Sequence, residues 1–346
     1  MIAATIWAAL GQPSHYLEPF CGSAAVLLSR PHHNPQRHIE TIVDADGYVA
    51  NVWRALQAAP DEVARWCDWP VNHADLSARK RCLLANEARL LENLSQHDEW
   101  YDAKLAGYWV WASSCWIGSG LTRLGQRPNV GDGGKGVHAL GQRPHVSEAG
   151  MGVHALGQIP HVGSAGKGVH ALGQIPHVSD AGKGVQEPYN TNLYVWFRAL
   201  AERLRYVRVV CGDWTRVCGG DWQNNMGTVG MFFDPPYGVA DRDTAVYHHD
   251  STTVAAEVEQ WVLPRGARSD YRIVVAGYTG EHDALAQAGW RTIRWKAHGG
   301  YGRLTQNGEE GRGLQNRHRE ALWLSPHCAG QRDLFSLAEE AEEALP

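Results

Sequence analysis

The chain has 346 residues, 44% of them hydrophobic and 15 of them Trp, which is enough apolar material for one large domain or two ordinary ones. A formal charge of −5, from 32 Lys and Arg against 37 Asp and Glu, excludes a uniformly basic nucleic-acid binder but leaves room for a local basic surface. Seven cysteines without a C-x-x-C pair give neither a disulfide framework nor a zinc cluster, and the apolar stretch Met1 to Leu10 is too short to span a bilayer. The expectation is a cytoplasmic protein with no metal and no membrane contact.

Residues 1–56 alternate strand-like runs ("HYLEPF", "HIETIVD") with helical ones ("AAVLLSR", "GYVANVWRAL"), a βαβα beginning that predicts a parallel sheet. From about 57 to 120 the pattern is helical: "DEVARWCDW" and "LSARKRCLLANEARLLENL" space their apolar residues by three and four. The segment ends in "YWVWASSCWIGSGL", whose Trp109, Trp111 and Trp116 read as core aromatics.

A tandem repeat of period 16 follows, in copies at 124–139, 140–155, 156–171 and 172–187 that share LGQ-x-P-x-V-x-x-x-G-x-G-V. Each copy has too few apolar residues to bury a core, and Pro with several Gly opposes a regular helix, so a duplicated loop is expected. Residues 121–186 carry six Lys and Arg against three Asp and Glu, which suits contact with a phosphate backbone. The repeats also supply six of the eighteen histidines, and no H-x-x-x-H pair is present.

After residue 190 the alternation resumes with a helix in "LYVWFRALAERLR" and strands at "YVRVVCGDW", "TVGMFFDPPY", "RIVVAGY", "TIRWKAH" and "EALWLSP". With the first region this makes about seven strands and an open, doubly wound α/β sheet, interrupted by the helical and repeat-bearing segment. The boundaries read as 1–56 and 191–328 for the two parts of the sheet domain, 57–190 for the insert, and 329–346 for an acidic tail.

Two strand ends carry unusual chemistry. In "YLEPFCGSAAV" (16–26) a strand runs into Glu18-Pro19-Phe20-Cys21-Gly22-Ser23 and then a helix, and Gly22 with the small residues after it lets a ligand approach the backbone. This is neither G-x-G-x-x-G nor a P-loop, so a pyrophosphate is not expected. Asp44 or Asp46 in "IVDADG" stands where an acidic residue could hold a ribose.

The second end is "FFDPPYG". Two successive prolines make a rigid turn without donors, so the carboxylate of Asp234 and the carbonyl of Pro235 become two fixed acceptors beside Tyr237. That set matches an exocyclic NH₂ with its two hydrogens, and the phenol ring offers a face on which a base can stack. Binding both hydrogens at a tetrahedral angle draws the nitrogen lone pair out of conjugation and aims it at an electrophile, with no covalent intermediate.

These residues resemble the Dam-like family of DNA adenine-N6 methyltransferases, especially its phage-type members. "YLEPFCGSAAVLL" looks like the family's AdoMet-binding motif, "IVDADGYVANVWRAL" like its acidic motif and "DPPYG" like its catalytic motif, in the family's order with the target-recognition region between them. The resemblance implies a Rossmann-like AdoMet-dependent methyltransferase sheet of about seven strands. It implies that Glu18, Pro19, Phe20, Gly22, Ser23 and Asp44 line the S-adenosyl-L-methionine pocket, with Asp213 and Trp214 near the adenine. Asp234, Pro235, Pro236 and Tyr237 would hold a target adenine flipped out of double-stranded DNA. The family's Gly-Gly-Lys segment is missing from "MIAATIWAALGQPSHY".

Asp234 in first position favours adenine over cytosine N4, and no Pro-Cys dipeptide supplies a C5-cytosine nucleophile. The rival readings are an rRNA amino-group methyltransferase and a catalytically inactive DNA-binding relative. The tail adds "QRDLFSL", where Gln331 to Phe335 approach a pattern that docks on the replication sliding clamp, or begin an amphipathic helix.

Overall fold

The computed structural model describes residues 2–115, 121, 193–219, 227–236, 253–295 and 319–329. The sixteen-residue repeats, Trp116, Tyr237 and the tail motif at 331–337 lie outside these residues. Among the described residues no helix is long and apolar enough to cross a membrane.

Seven strands form where the apolar runs predict them: β1 (His15–Glu18), β2 (Ile39–Asp44), β3 (Val207–Cys211), β4 (Val229–Phe233), β5 (Tyr271–Tyr278), β6 (Arg291–Arg294) and β7 (Glu320–Leu324). They make one sheet in the order β3-β2-β1-β4-β5-β7-β6, so the described fold is α/β with a seven-stranded sheet, an arrangement compatible with a Rossmann-like fold. Every residue of β1 and of β4 is buried, as suits strands covered on both faces.

The sheet is mixed: the parallel pairing that the βαβα beginning predicts is present between β1 and β2, while the sequence set no direction for the later strands. β1 pairs parallel with β2 and β4, and β4 with β5, but β7 runs antiparallel to both β5 and β6. Antiparallel neighbours need no crossover connection, whereas a parallel neighbour requires one. Nothing in the apolar pattern of "EALWL" records that direction.

The chain divides into two compact units. The first comprises the described residues of Met1–Ile42, Trp214–Arg242 and Asp250–Pro346. Its helices are α1 (Ile2–Leu10), the single turn α2 (Ala25–Leu28) and three from later in the chain. The "IAATIWAAL" stretch thus forms helix α1, with Ala3, Ile6, Trp7, Ala9 and Leu10 buried and the Trp7 indole donating to Val26 O at 2.6 Å.

The second unit holds the described part of Val43–Asp213: α3 (Gly47–Ala58), α4 (Pro60–Cys67), α5 (His73–Gln96), α6 (Ala103–Cys115) and α7 (Leu193–Leu204), with β3. Helix starts follow their sequence signals. Asp46 caps α3 by accepting from Tyr48 N, Pro60 opens α4 ahead of Asp61 and Glu62, and Asn72 caps α5 by accepting from Asp75 N. Trp109 and Trp111 are core residues, and Trp111 donates to Trp69 O at 2.8 Å. The buried Arg79 guanidinium lies over the rings of Trp111 and Tyr108, 4.3 and 4.4 Å from their centroids, so cation–π contact replaces the water it gives up.

Arg54 ties the unit's sheet edge to its helices. Its Nε donates to Val209 O in β3, and Nη1 donates to His97 O and Leu94 O at the end of α5. One guanidinium thereby satisfies carbonyls that a helix end leaves open.

Candidate functional site

Strand numbers descend from β3 to β1 and then ascend through β4, β5 and β7, so the order reverses between β1 and β4. In open α/β sheets ligands bind beyond the carboxyl ends of the strands at such a reversal. Here those ends are Glu18 and Phe233, on parallel neighbours of the first unit, and they lead into the loop Pro19–Ala24 and into Asp234-Pro235-Pro236. The two strand ends singled out in the sequence are thus adjacent.

The loop after β1 turns tightly. Gly22 has φ +44° and Ala24 φ +49°, and Ala24 N donates to Cys21 O at 2.6 Å. Gly22 adopts that left-handed backbone without penalty, whereas Ala24 carries a Cβ there and is held by complete burial. Pro19 and Ser23 are buried, and Phe20 is half-buried.

Glu18 is 2% exposed. Its Oε2 accepts from the Tyr16 hydroxyl at 2.9 Å and from Leu27 N, in the single turn of α2, at 3.0 Å. Burial pushes its carboxyl up to about 8 against the pull of those two donors, and the nearby carboxylates of Asp234 and Glu40 push the same way. Beneath it, Arg30 donates to Glu40 Oε1 at 3.2 Å and to Pro13 O at 2.5 Å, so that cation is engaged elsewhere.

Four aromatic rings gather around the strand ends. Phe20, Trp214 and Phe233 have mutual centroid distances of 6.3, 6.4 and 6.2 Å, and Trp261 stands 5.7 Å from Phe233 and 6.1 Å from Trp214. Trp261 sits on α9 (Val254–Gly266), which follows the single turn α8 (Thr215–Cys218), and its indole donates to Cys218 O at 2.9 Å. Trp214 is 4% exposed, and its indole N–H has no partner among the described residues. A flat, polarisable wall with an unspent donor can receive the face and edge of a heterocycle.

Asp234 is half-buried and Pro235 and Pro236 are buried, continuing directly from the wholly buried β4. Its charge bears on Glu18, so the two acidic groups share one electrostatic environment. Tyr237, expected to stack on the base, lies outside the described residues.

Asp44 and Asp213 belong to the second unit. Asp44 ends β2, its carbonyl accepts from Gly212 N at 2.9 Å, and its Oδ1 accepts from Asp46 N, so that carboxylate orders the turn into α3. Asp46, the other ribose candidate, is engaged as the α3 cap. Asp213 is exposed and immediately precedes Trp214.

Two site residues escaped the sequence reading. Tyr16 stands two positions before Glu18 on the same face of β1, a signal readable from strand alternation. Trp261 required recognition of "VAAEVEQWVL" as a helix, whose three- and four-residue apolar spacing was present. No protein-family model and no curated protein matches the chain.

Proposed function

We propose that the protein is an AdoMet-dependent methyltransferase that modifies the exocyclic amine of adenine in DNA. The observation that carries the reading is the adjacency of β1 and β4 at the sheet's reversal, which sets the Glu18 loop beside the Asp234-Pro235-Pro236 turn.

The described residues fit an adenosyl ligand bearing positive charge. Phe20 and Trp214 offer ring faces and an unspent indole N–H, and Glu18 is a buried carboxyl whose described hydrogen-bond partners are neutral. AdoMet, when bound, supplies the methyl group. Phe20, Trp214, Glu18 and the backbone around Gly22 are the residues that would hold it.

On the acceptor side, Asp234 and the Pro235 carbonyl accept the two hydrogens of the target amine. Proline at 235 and 236 removes both local N–H donors, so the amine meets acceptors alone and its lone pair is left for the methyl carbon. A base inside a duplex cannot reach such a turn, so the adenine must leave the stack. The proton the nitrogen sheds after transfer passes to Asp234 or to water.

The test is mass spectrometry of nucleosides from DNA incubated with purified protein and AdoMet, beside an RNA control. N6-methyladenine in the DNA alone is the expected result. Methylation of RNA alone, or no methylated base from folded protein that binds AdoMet, overturns the proposal.

A further inference from the structure

We infer that Glu18 holds a proton while its site is empty and releases it when a cationic adenosyl ligand binds, so that ligand binding is coupled to proton release. The inference rests on the methyltransferase reading above and adds to it the group that senses the ligand's charge.

Among the described residues, the geometry around Glu18 is that of a carboxyl without a counter-ion. Its side chain is buried at the end of β1, and both hydrogen bonds it accepts, from Tyr16 and from Leu27 N, come from neutral donors. The described charged groups that face it are of the wrong sign or already engaged. Asp234 at the end of β4 and Glu40 in β2 both oppose a second negative charge. Arg30, whose field reaches Tyr16, is bonded to Glu40 and to the Pro13 carbonyl. The α2 turn contributes a backbone amide rather than a charged side chain.

A carboxylate removed from water and given two neutral donors is poorly compensated, so the neutral acid is the favoured form near neutral pH, consistent with an ionisation displaced to about 8. A ligand that brings an ammonium or sulfonium supplies the missing counter-ion and reverses that preference. The proton then leaves for the solvent, the carboxylate pairs with the ligand, and charge and atoms balance without a further reactant. Selectivity follows: a neutral adenosine presents no cation to Glu18 and gains nothing from it, whereas AdoMet does.

The experiment is isothermal titration of the full-length protein with AdoMet at pH 6.5 in buffers of different ionisation heats, where the slope of heat against buffer enthalpy counts protons. At this pH the ligand's amine is already charged and contributes little to the count. The wild type is expected to release close to one proton per AdoMet, and its affinity to rise nearly tenfold per pH unit below pH 7. Glu18→Gln should bind without proton release and with a flat pH profile. Should that variant not fold, Tyr16→Phe makes the same test: removing one donor raises the carboxyl further, so its release at pH 8 exceeds the wild type's. Buffer-independent heats in the wild type, or undiminished release from Glu18→Gln, overturn the inference while leaving AdoMet binding intact. Absence of any AdoMet binding heat or thermal shift overturns the methyltransferase reading itself, and this inference with it.

Discussion

Tyr16 and Glu18 face the same side of β1 and share a buried hydrogen bond of 2.9 Å that joins a phenol to a carboxyl held up to about 8. A carboxyl whose folded-state value lies above its unfolded one binds more protons folded than unfolded between those two values. Stability from this group is therefore lost as pH rises from the ordinary carboxyl range toward 8, by an amount on the order of a few kcal/mol. In urea titrations at a series of pH values, Glu18→Gln should lack that decline, so the variant gains on the wild type as pH rises. Parallel profiles for the two proteins would show that Glu18 ionises like an exposed carboxyl.

His282 gives the opposite slope. Its ring is 1% exposed, lies edge-on to Trp323 at 5.0 Å, and contacts Glu259 Oε2 from Nδ1 at 3.3 Å. Burial lowers it to about 4. The ring is thus neutral and shares a hydrogen bond with Glu259, a carboxyl itself raised by burial and by Asp283 and Glu281. Because the unfolded chain takes up the proton first, His282 contributes stability above its ordinary value near 6.5 that is lost as pH falls toward 4, on the order of 3 kcal/mol. His282→Gln should show a shallower loss over that interval in thermal melts. An unchanged acid limb would place the acid sensitivity in other groups.

Substitution of Asp234 tests the proposed function by separating chemistry from binding. Asp234→Ala removes one of the two acceptors proposed for the target amine, and methyl transfer should fall by about 10²–10⁴-fold under single-turnover conditions. The same change deletes a negative charge that acts on Glu18, so AdoMet binding, read by thermal shift, should be kept. Equal loss of both would make Asp234 a structural residue of the β4 turn.

What the sequence conveyed about this fold depended on whether the signal was local. "VGMFF" and "HYLE" are short apolar runs bounded by turn residues, and they became the central strands β4 and β1 with no displacement. The nearness of Gly22 and Asp234 followed from one general rule about where α/β sheets bind ligands. The direction of β7 did not follow, because orientation is set by how a connection returns and not by the strand's own residues. The environment of Glu18 was equally hidden. Glu18 is buried at the end of β1, which lies between β2 and β4, and Leu27 N reaches it from the turn that follows left-handed Gly22 and Ala24. The "AAVLLSR" run was read as a helix and yields only the single turn Ala25–Leu28, since Ala24 enters it from left-handed backbone.

The helical unit offers a test that is independent of function. Gly107 lies in α6 where it crosses α4, and a Cβ there would come within 2.4 Å of the Trp66 Cβ and 2.8 Å of the Val63 carbonyl oxygen. The Trp66 contact is at the root of its side chain and the Val63 contact is backbone, so neither can swing aside as the tip of a flexible side chain would. Alanine is the better helix former by about 1 kcal/mol, which opposes the clash. Overpacking against backbone costs about 1–3 kcal/mol, and at distances this far inside contact the upper part of that range applies. Gly107→Ala should therefore lower the urea midpoint with an unchanged slope, followed by tryptophan fluorescence, and valine there should lower it further. A midpoint equal to or above the wild type's would mean that α4 and α6 can separate without loss, and that Trp66 is held by its T-shaped contact with Tyr108 at 5.6 Å and not by the helix crossing.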